Sequence, residues 1–171
     1  MSNKTLYLTN ILMEIINEIG DLKNIQPLEI NGDKFQFIYN NKEHFGKVSL
    51  EDVTEYRKHF QFPDIIPNIN DRNIVNIDYT IDNSDSRTFK SDYKMLVQIL
   101  KTVVEILKDK IIDKDTIYCI FNASRNDLSI KNSNQKYMIY STLLSNHLDE
   151  TWISGEFKYF NQLGFFITKK R

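Results

Sequence analysis

The side chains of this 171-residue chain that could bind a metal or act as nucleophiles are few and scattered. Its three histidines, His44, His59 and His147, show no i, i+4 pair of the kind that holds zinc on a helix. The single cysteine, Cys119, excludes an internal disulfide and any site made of several cysteines. Because Cys119 lies in the apolar run 117–121 (IYCIF), we expect a buried strand cysteine rather than a nucleophile. No cofactor is expected.

The segment Glu156-Phe157-Lys158 is the E-x-K half of a metal-dependent nuclease site. In such a site the carboxylate holds Mg²⁺ and the lysine positions the attacking water. Asp64, which follows a proline, is a candidate for the second carboxylate. Ordinary exposed strand charges explain the same short motif, so a magnesium-dependent nuclease using Glu156 and Lys158 is an alternative hypothesis.

A second polar cluster follows the apolar strand predicted at 116–121. Strand ends that face a loop and a helix start are common ligand sites in α/β layers, and an arginine beside free helix amides can accept an anion. A small anionic ligand is therefore a further alternative, although a polar loop after a buried strand is also ordinary. The candidate binding residues are Asn122, Ser124, Arg125, Lys136 and Tyr140.

Composition and motifs exclude several functional classes. The net charge of -1 lacks the basic excess of a nucleic-acid-binding protein, and nucleic acid is not an expected partner. No apolar run is long enough to cross a membrane, and the first residues lack the apolar core of a signal peptide. Gly-rich phosphate loops and G-x-S-x-G elbows are missing. These absences favour a non-enzymatic protein without a membrane partner.

The elements that would position these residues are centred on the stretch 74–112. Alternation predicts a strand at 74–81, with one buried and one wet face. A helix is predicted from an N-cap at Ser91, with Lys101 and Glu105 on its solvent side. Its apolar stripe should pack on a sheet. The stripe consists of Tyr93, Leu96, Val97, Leu100, Val103, Val104 and Leu107.

The N-terminal part begins with a predicted helix over 6–19. Asn31-Gly32 predicts a hairpin, and a second turn at 40–43 leads to a strand over 44–50. In the second strand Phe35 and Phe37 share one face and Ile38 takes the other. The irregular segment 51–73 is too apolar for a linker and is expected to cover the core with a short helix near 53–60, or else to contact a partner as an exposed insertion.

After the strand at 116–121, a helix is predicted from about 133, followed by two closing strands. The predicted fold is therefore α+β: a single mainly antiparallel sheet of about six strands, with two or three helices packed on one face. No linker divides the chain, so one domain over 1–171 is expected.

Several segments resemble a group of small tailed-bacteriophage proteins with no established activity. The resemblance covers the central and C-terminal two-thirds of the chain and implies a viral setting, without supplying catalytic residues. Its segments are 74–79 (IVNIDY), 88–93 (TFKSDY), 99–106 (ILKTVVEI), 121–124 (FNAS) and 135–140 (QKYMIY), with a fainter match at 18–22 (EIGDL).

Absent catalytic motifs, high aromatic content and this resemblance favour a non-enzymatic bacteriophage protein that acts through protein–protein contacts. Such a protein would be a virion or assembly component, or a host-directed accessory factor. Its partner would be a phage structural protein, a host protein or another copy of itself, in the host cytoplasm or the virion.

Overall fold

The computed structural model describes residues 25–85, 89–111, 113–121, 142–143, 148–160 and 162–170. Within these ranges the sheet order is β1-β2-β3-β5-β7-β9-β8-β4, with β6 paired to β5. Two 3₁₀ helices cover Thr54–His59 and Ile69–Asp71. The other elements are β1 (Glu29–Asn31), β2 (Lys34–Tyr39), β3 (Lys42–Asp52), β4 (Phe60–Gln61), β5 (Asn73–Ile81), β6 (Ser84–Asp85), α1 (Tyr93–Leu107), β7 (Thr116–Phe121), β8 (Trp152–Tyr159) and β9 (Gln162–Lys169).

Two-residue turns close the hairpins of the N-terminal half. Gly32 adopts a φ of 65° between β1 and β2, where glycine has no steric penalty. Asn40 and Asn41, with φ of 52° and 59°, join β2 to β3. Asp82 and Asn83, at 54° and 59°, join β5 to β6. Asn and Asp tolerate this left-handed region better than other side chains. The hairpin at Asn31-Gly32 and the following turn are thus confirmed.

The predicted α+β fold is wrong. In the described residues the protein is mostly β, with nine strands in one mixed sheet and a single helix of seven or more residues, α1. The sheet is mixed because α1 returns the chain to its starting side, so that β5 and β7 pair in parallel. Strands β4 and β6 have two residues each, too few to show a period in the sequence. The helix predicted over 6–19 lies outside the described residues. Of the helix predicted from about 133 only 142–143 are described, and there the chain is helical and Leu143 is buried, as expected.

Helix α1 packs on one face of the sheet, called here the helix face. It begins after Asp92, whose Oδ1 accepts a hydrogen bond from Met95 N at 2.8 Å, one residue later than predicted. Its expected solvent side is partly wrong, because Lys101 is buried and Thr102 is fully buried. Thr102 Oγ1 donates to Gln98 O and accepts from Leu28 N at 2.9 Å. The segment before β1 therefore lies on the helix.

The opposite face of β7, β9 and β8 is covered by the segment between β3 and β5. Phe60 and Ile66 are buried there beside Phe157 and Phe166, and Phe62 packs edge-on to Phe166 with ring centroids 5.6 Å apart. The covering segment with a short helix is thus confirmed. Covered on both faces, β7 buries Cys119 completely, as expected for a structural cysteine, and burial raises the pKa of its thiol well above the ordinary value.

A buried arginine fastens the covering segment to the sheet. Arg72 is 0% exposed, and its guanidinium donates to the carbonyl oxygens of Pro67, Lys114 and Lys169 and to Thr168 Oγ1. Arg57 donates to the carbonyl oxygen of Arg72. These bonds join the ends of β5, β7 and β9, and five donors in a planar fork suit arginine to this task.

Candidate interaction surface

The polar cluster predicted after β7 cannot be placed. All five candidate residues lie outside the described residues: Asn122, Ser124, Arg125, Lys136 and Tyr140. The anion-binding hypothesis therefore stays a prediction.

The E-x-K pair is brought onto one face of β8. Glu156 lies opposite Phe165 of β9, and Lys158 lies between Leu163 and Gln61; both charged side chains are exposed. Asp64 is also exposed, beyond the end of β4. Among the described residues, no group of three or more His, Cys, Asp or Glu side chains is placed to hold a metal ion. The described residues supply no observation that favours the nuclease hypothesis.

A histidine–aspartate pair, which the sequence did not indicate, joins the β5–β6 turn to β3. His44 Nδ1 lies 2.7 Å from Asp82 Oδ2, and Phe45 N donates to Asp82 Oδ1 at 2.9 Å. The hydrogen bond with His44, followed by that from Phe45, lowers the pKa of the Asp82 carboxyl. The imidazole stacks on Phe37 and meets Phe89 edge-on, with ring centroids 5.2 and 5.0 Å apart. This packing holds the β5–β6 turn against β3, and we call His44 and Asp82 the turn clamp. The one local signal is the Asp82-Asn83 turn.

Large apolar side chains are exposed on the opposite face of β2 and β3. Ile38 is 73% exposed and Phe45 is 54% exposed. In the β2–β3 register Ile38 pairs with Glu43 and Phe45 with Gln36, so the two apolar side chains are diagonal neighbours on the same face. We call Ile38 and Phe45 the apolar pair.

A pair of lysines stands beside the apolar pair. Lys34 and Lys47 are directly opposite each other in the β2–β3 register, on the same face. Both are exposed, and neither makes an ion pair with any described residue. Like charges directly opposite each other are destabilising, so an acidic group placed over them would be favoured. The same face also carries the exposed acidic residues Glu29, Glu43 and Asp78. This face therefore combines exposed apolar area with charges of both signs.

A second exposed aromatic group lies at the β8–β9 turn. Phe160 is 64% exposed and adopts a φ of 51°, a left-handed conformation that bulky residues rarely take. His59 stacks against it with ring centroids 4.6 Å apart, and Tyr159 meets it edge-on at 4.8 Å. The internal stacking accounts for the position of Phe160, and no described polar group marks a ligand site beside it.

The comparisons with known proteins identify no family. The chain matches no protein-family model, no curated protein and no solved structure. Within the described part of the chain, no helix has the length and apolar character that a bilayer span requires. Inference about function therefore rests on the exposed side chains of the protein.

Proposed function

We propose that this chain is a non-enzymatic bacteriophage protein that works through protein–protein contacts, and that the opposite face of β2 and β3 makes the contact. The observation that carries the proposal is the exposure of the apolar pair, 73% for Ile38 and 54% for Phe45. The same strands bury Phe35 and Phe37 on the helix face, so the sheet does not need Ile38 and Phe45 for its own core. Contiguous exposed apolar area of this kind marks contact sites.

The chemistry of the face specifies the partner. An apolar side chain would cover Ile38 and Phe45, and charged groups of both signs around it would meet the lysines and carboxylates of the same face. A phage structural protein and a host protein are both partners that can present such a surface. The phage setting rests on the sequence resemblance.

The test compares a double variant of the apolar pair with a matched control. Ile38→Thr with Phe45→Thr keeps β-branched or strand-compatible residues on an exposed face, so folding should be preserved. The control, Ile65→Thr with Tyr56→Thr, removes two other exposed apolar side chains, from the covering segment. Tagged wild-type and variant chains are expressed during infection, and purified virions and chain-bound proteins are quantified by mass spectrometry.

We expect the wild type and the control to co-purify with one partner, and the Ile38/Phe45 variant to retain roughly tenfold less, since two central apolar contacts are lost. Recovery in purified virions identifies a structural role, and recovery with a host protein identifies an accessory role. Equal recovery of the partner by all three chains contradicts the proposal.

A further inference from the structure

The two edges of the sheet differ in how they end. The sheet finishes at β1 on one side and at β4 on the other. Strand β4 is short and pairs only with Lys158 and Tyr159 of β8. Within the described residues, no strand pairs with β8 from Trp152 to Glu156 on that side. This five-residue stretch is called here the open edge.

The main-chain groups that face outward along the open edge belong to Trp152, Ser154 and Glu156. Of these, Trp152 N already donates to Asp149 O at 3.2 Å. Lys170 N donates to Thr151 O at 2.7 Å, so Thr151 faces β9. Because main-chain direction alternates along a strand, the odd-numbered residues of β8 bond to β9. The N–H and C=O groups of Ser154 and Glu156 point away from β9, as do those of Lys158, which pairs with β4 instead.

The open edge has little of the usual protection against strand addition, and its single charged residue is Glu156 at its end. Residues 152–156 (WISGE) contain no proline or lysine, and their register with β9 runs without a bulge. Strand β1, at the other edge, has only three residues and is followed by the charged Asp33 and Lys34. Short, charged edges resist pairing, whereas an edge of five residues with a single charge at its end accepts another strand more readily.

We propose that a second copy of this chain adds its own β8 to the open edge, antiparallel, with Ser154 facing Ser154 across a two-fold axis. An antiparallel pair related by a two-fold axis normal to the sheet keeps the helix faces of both copies on the same side. The two sheets then continue as one sheet, joined by main-chain hydrogen bonds as in other strand additions.

The residues of the open edge are complementary to themselves in this register. Ser154 lies at the middle of the stretch 152–156 and exchanges reciprocal hydrogen bonds with its copy. Ile153 faces Gly155 of the second copy, which presents no side chain of its own; the Phe166 ring would lie 3.1 Å from a Cβ there. Trp152 faces Glu156 of the second copy, and Lys169 Nζ lies 5.4 Å from the Trp152 ring centroid. The incoming carboxylate therefore approaches a cation.

The other registers that keep the two faces aligned are less favourable. A register centred on Glu156 opposes two like charges. One centred on Gly155 would place Trp152 of the second copy opposite Lys158, where Gln61 of β4 already pairs. In the register centred on Ser154, residues 152–156 of the two copies pair with each other, so that no residue of β8 of the second copy comes opposite Lys158.

A proline at position 154 tests the hydrogen bonds directly. Ser154→Pro removes an outward N–H that β9 does not use, and proline is tolerated at such edge positions. Ser154→Ala is the matched control, because it keeps the N–H. Sedimentation velocity over a hundredfold range of concentration should show a monomer–dimer equilibrium for the wild type and Ser154→Ala. Self-association of folded Ser154→Pro should be about thirtyfold weaker, for two lost main-chain bonds.

A cysteine at position 154 tests the register even if the proline variant does not fold. The native Cys119 is fully buried, so Ser154→Cys adds one accessible thiol. Its distance from its copy across the axis suits a disulfide. Ser49→Cys, at an exposed position of β3, is the matched control. We expect Ser154→Cys to form a disulfide dimer at least tenfold faster than Ser49→Cys under mild oxidation.

A wild type that stays monomeric over the whole range, a folded Ser154→Pro that dimerises like the wild type, or equal cross-linking of the two cysteine variants would each overturn the proposal. The Ile38→Thr/Phe45→Thr variant should dimerise normally, because its surface is on other strands. Loss of partner binding and loss of dimerisation are thus separate results.

Discussion

Strands β7 and β9 and strands β2 and β3 belong to one sheet but differ in how they are covered. In β9 five successive residues are buried, whereas β2 and β3 alternate between buried and exposed positions. Helix α1 covers one face of both pairs, and the segment with Phe60 and Ile66 covers the opposite face of β7 and β9. Cover on both faces stabilises β7 and β9, whereas β2 and β3 have one face that no described segment covers.

The largest expected difference lies between two phenylalanines. Phe166 of β9 is fully buried against Phe62, while Phe45 of β3 is 54% exposed. Phe166→Ala should lower the free energy of unfolding by about 3–5 kcal/mol, because a cavity remains in the core. Phe45→Ala should change it by no more than about 0.5 kcal/mol. Urea titrations of both variants measure the change in the free energy of unfolding. Similar losses for the two variants would contradict the difference expected between β9 and β3.

Substitution of the buried Arg72 should cause the second largest loss of stability. Arg72→Met fills similar volume but leaves the carbonyl oxygens of Lys114 and Lys169 without their donor, for an expected loss of about 3 kcal/mol. Lys47→Met, on the free face of β3, should be close to neutral. Thermal unfolding followed by circular dichroism gives both values. An Arg72→Met variant as stable as wild type would show that the guanidinium does not join the strand ends.

Two glycines provide a third, closely matched comparison. A Cβ at Gly164 of β9 would lie 2.8 Å from Ile120 O and 2.3 Å from the Phe157 ring, whereas the three atoms nearest to one at Gly46 of β3 all belong to the Phe35 ring, the first at 2.0 Å. A ring can turn more easily than backbone can shift. We therefore expect Gly164→Ala to cost about 3 kcal/mol and Gly46→Ala about 1 kcal/mol in urea titrations. The reverse order would contradict the expectation that the Ile120 backbone beside Gly164 yields less easily than the Phe35 ring beside Gly46.

The smallest effect concerns the turn clamp of the β2–β3 region. The pKa of Asp82 is lowered by its bonds from His44 and Phe45, so its carboxylate stabilises the fold above the ordinary value of 3.8. That contribution is lost as the pH falls through the lower folded pKa. Because the carboxylate is partly exposed, it should amount to a few tenths of a kcal/mol. The stability gap between wild type and Asp82→Asn should be constant from about pH 7 to 5 and shrink below about pH 4. If the stability difference between wild type and Asp82→Asn grew on acidification, the pKa of Asp82 would be raised rather than lowered in the folded protein.

Much of the local structure followed from the sequence. Alternation indicated β2 and β5, the continuous apolar run 116–121 indicated the doubly covered β7, and Asn31-Gly32 indicated the first hairpin. The placement of Ile38 on the face away from Phe35 and Phe37 also followed from the strand period. The sequence therefore predicted the face of β2 on which Ile38 lies, but it did not predict that Ile38 would be exposed.

Other features were decided only by tertiary contacts. The burial of Lys101 and Thr102 depends on what packs over α1, and periodicity within the helix carries no information about that. Likewise Arg72 reaches Lys169, and His44 reaches Asp82, across long separations in sequence. The sequence also did not predict the short strands β4 and β6, because they are stabilised by their neighbours rather than by a pattern of their own.

The sequence by itself determined where strands, turns and the central helix lie, since backbone preferences and apolar periods act over a few residues. Only the tertiary structure decided which strands pair, that β5 and β7 run parallel, and which faces and edges remain open. The physical reason is that exposure is a property of the assembled layers. Ile38 and Phe45 resemble core residues in the sequence and are exposed only because no described segment covers them.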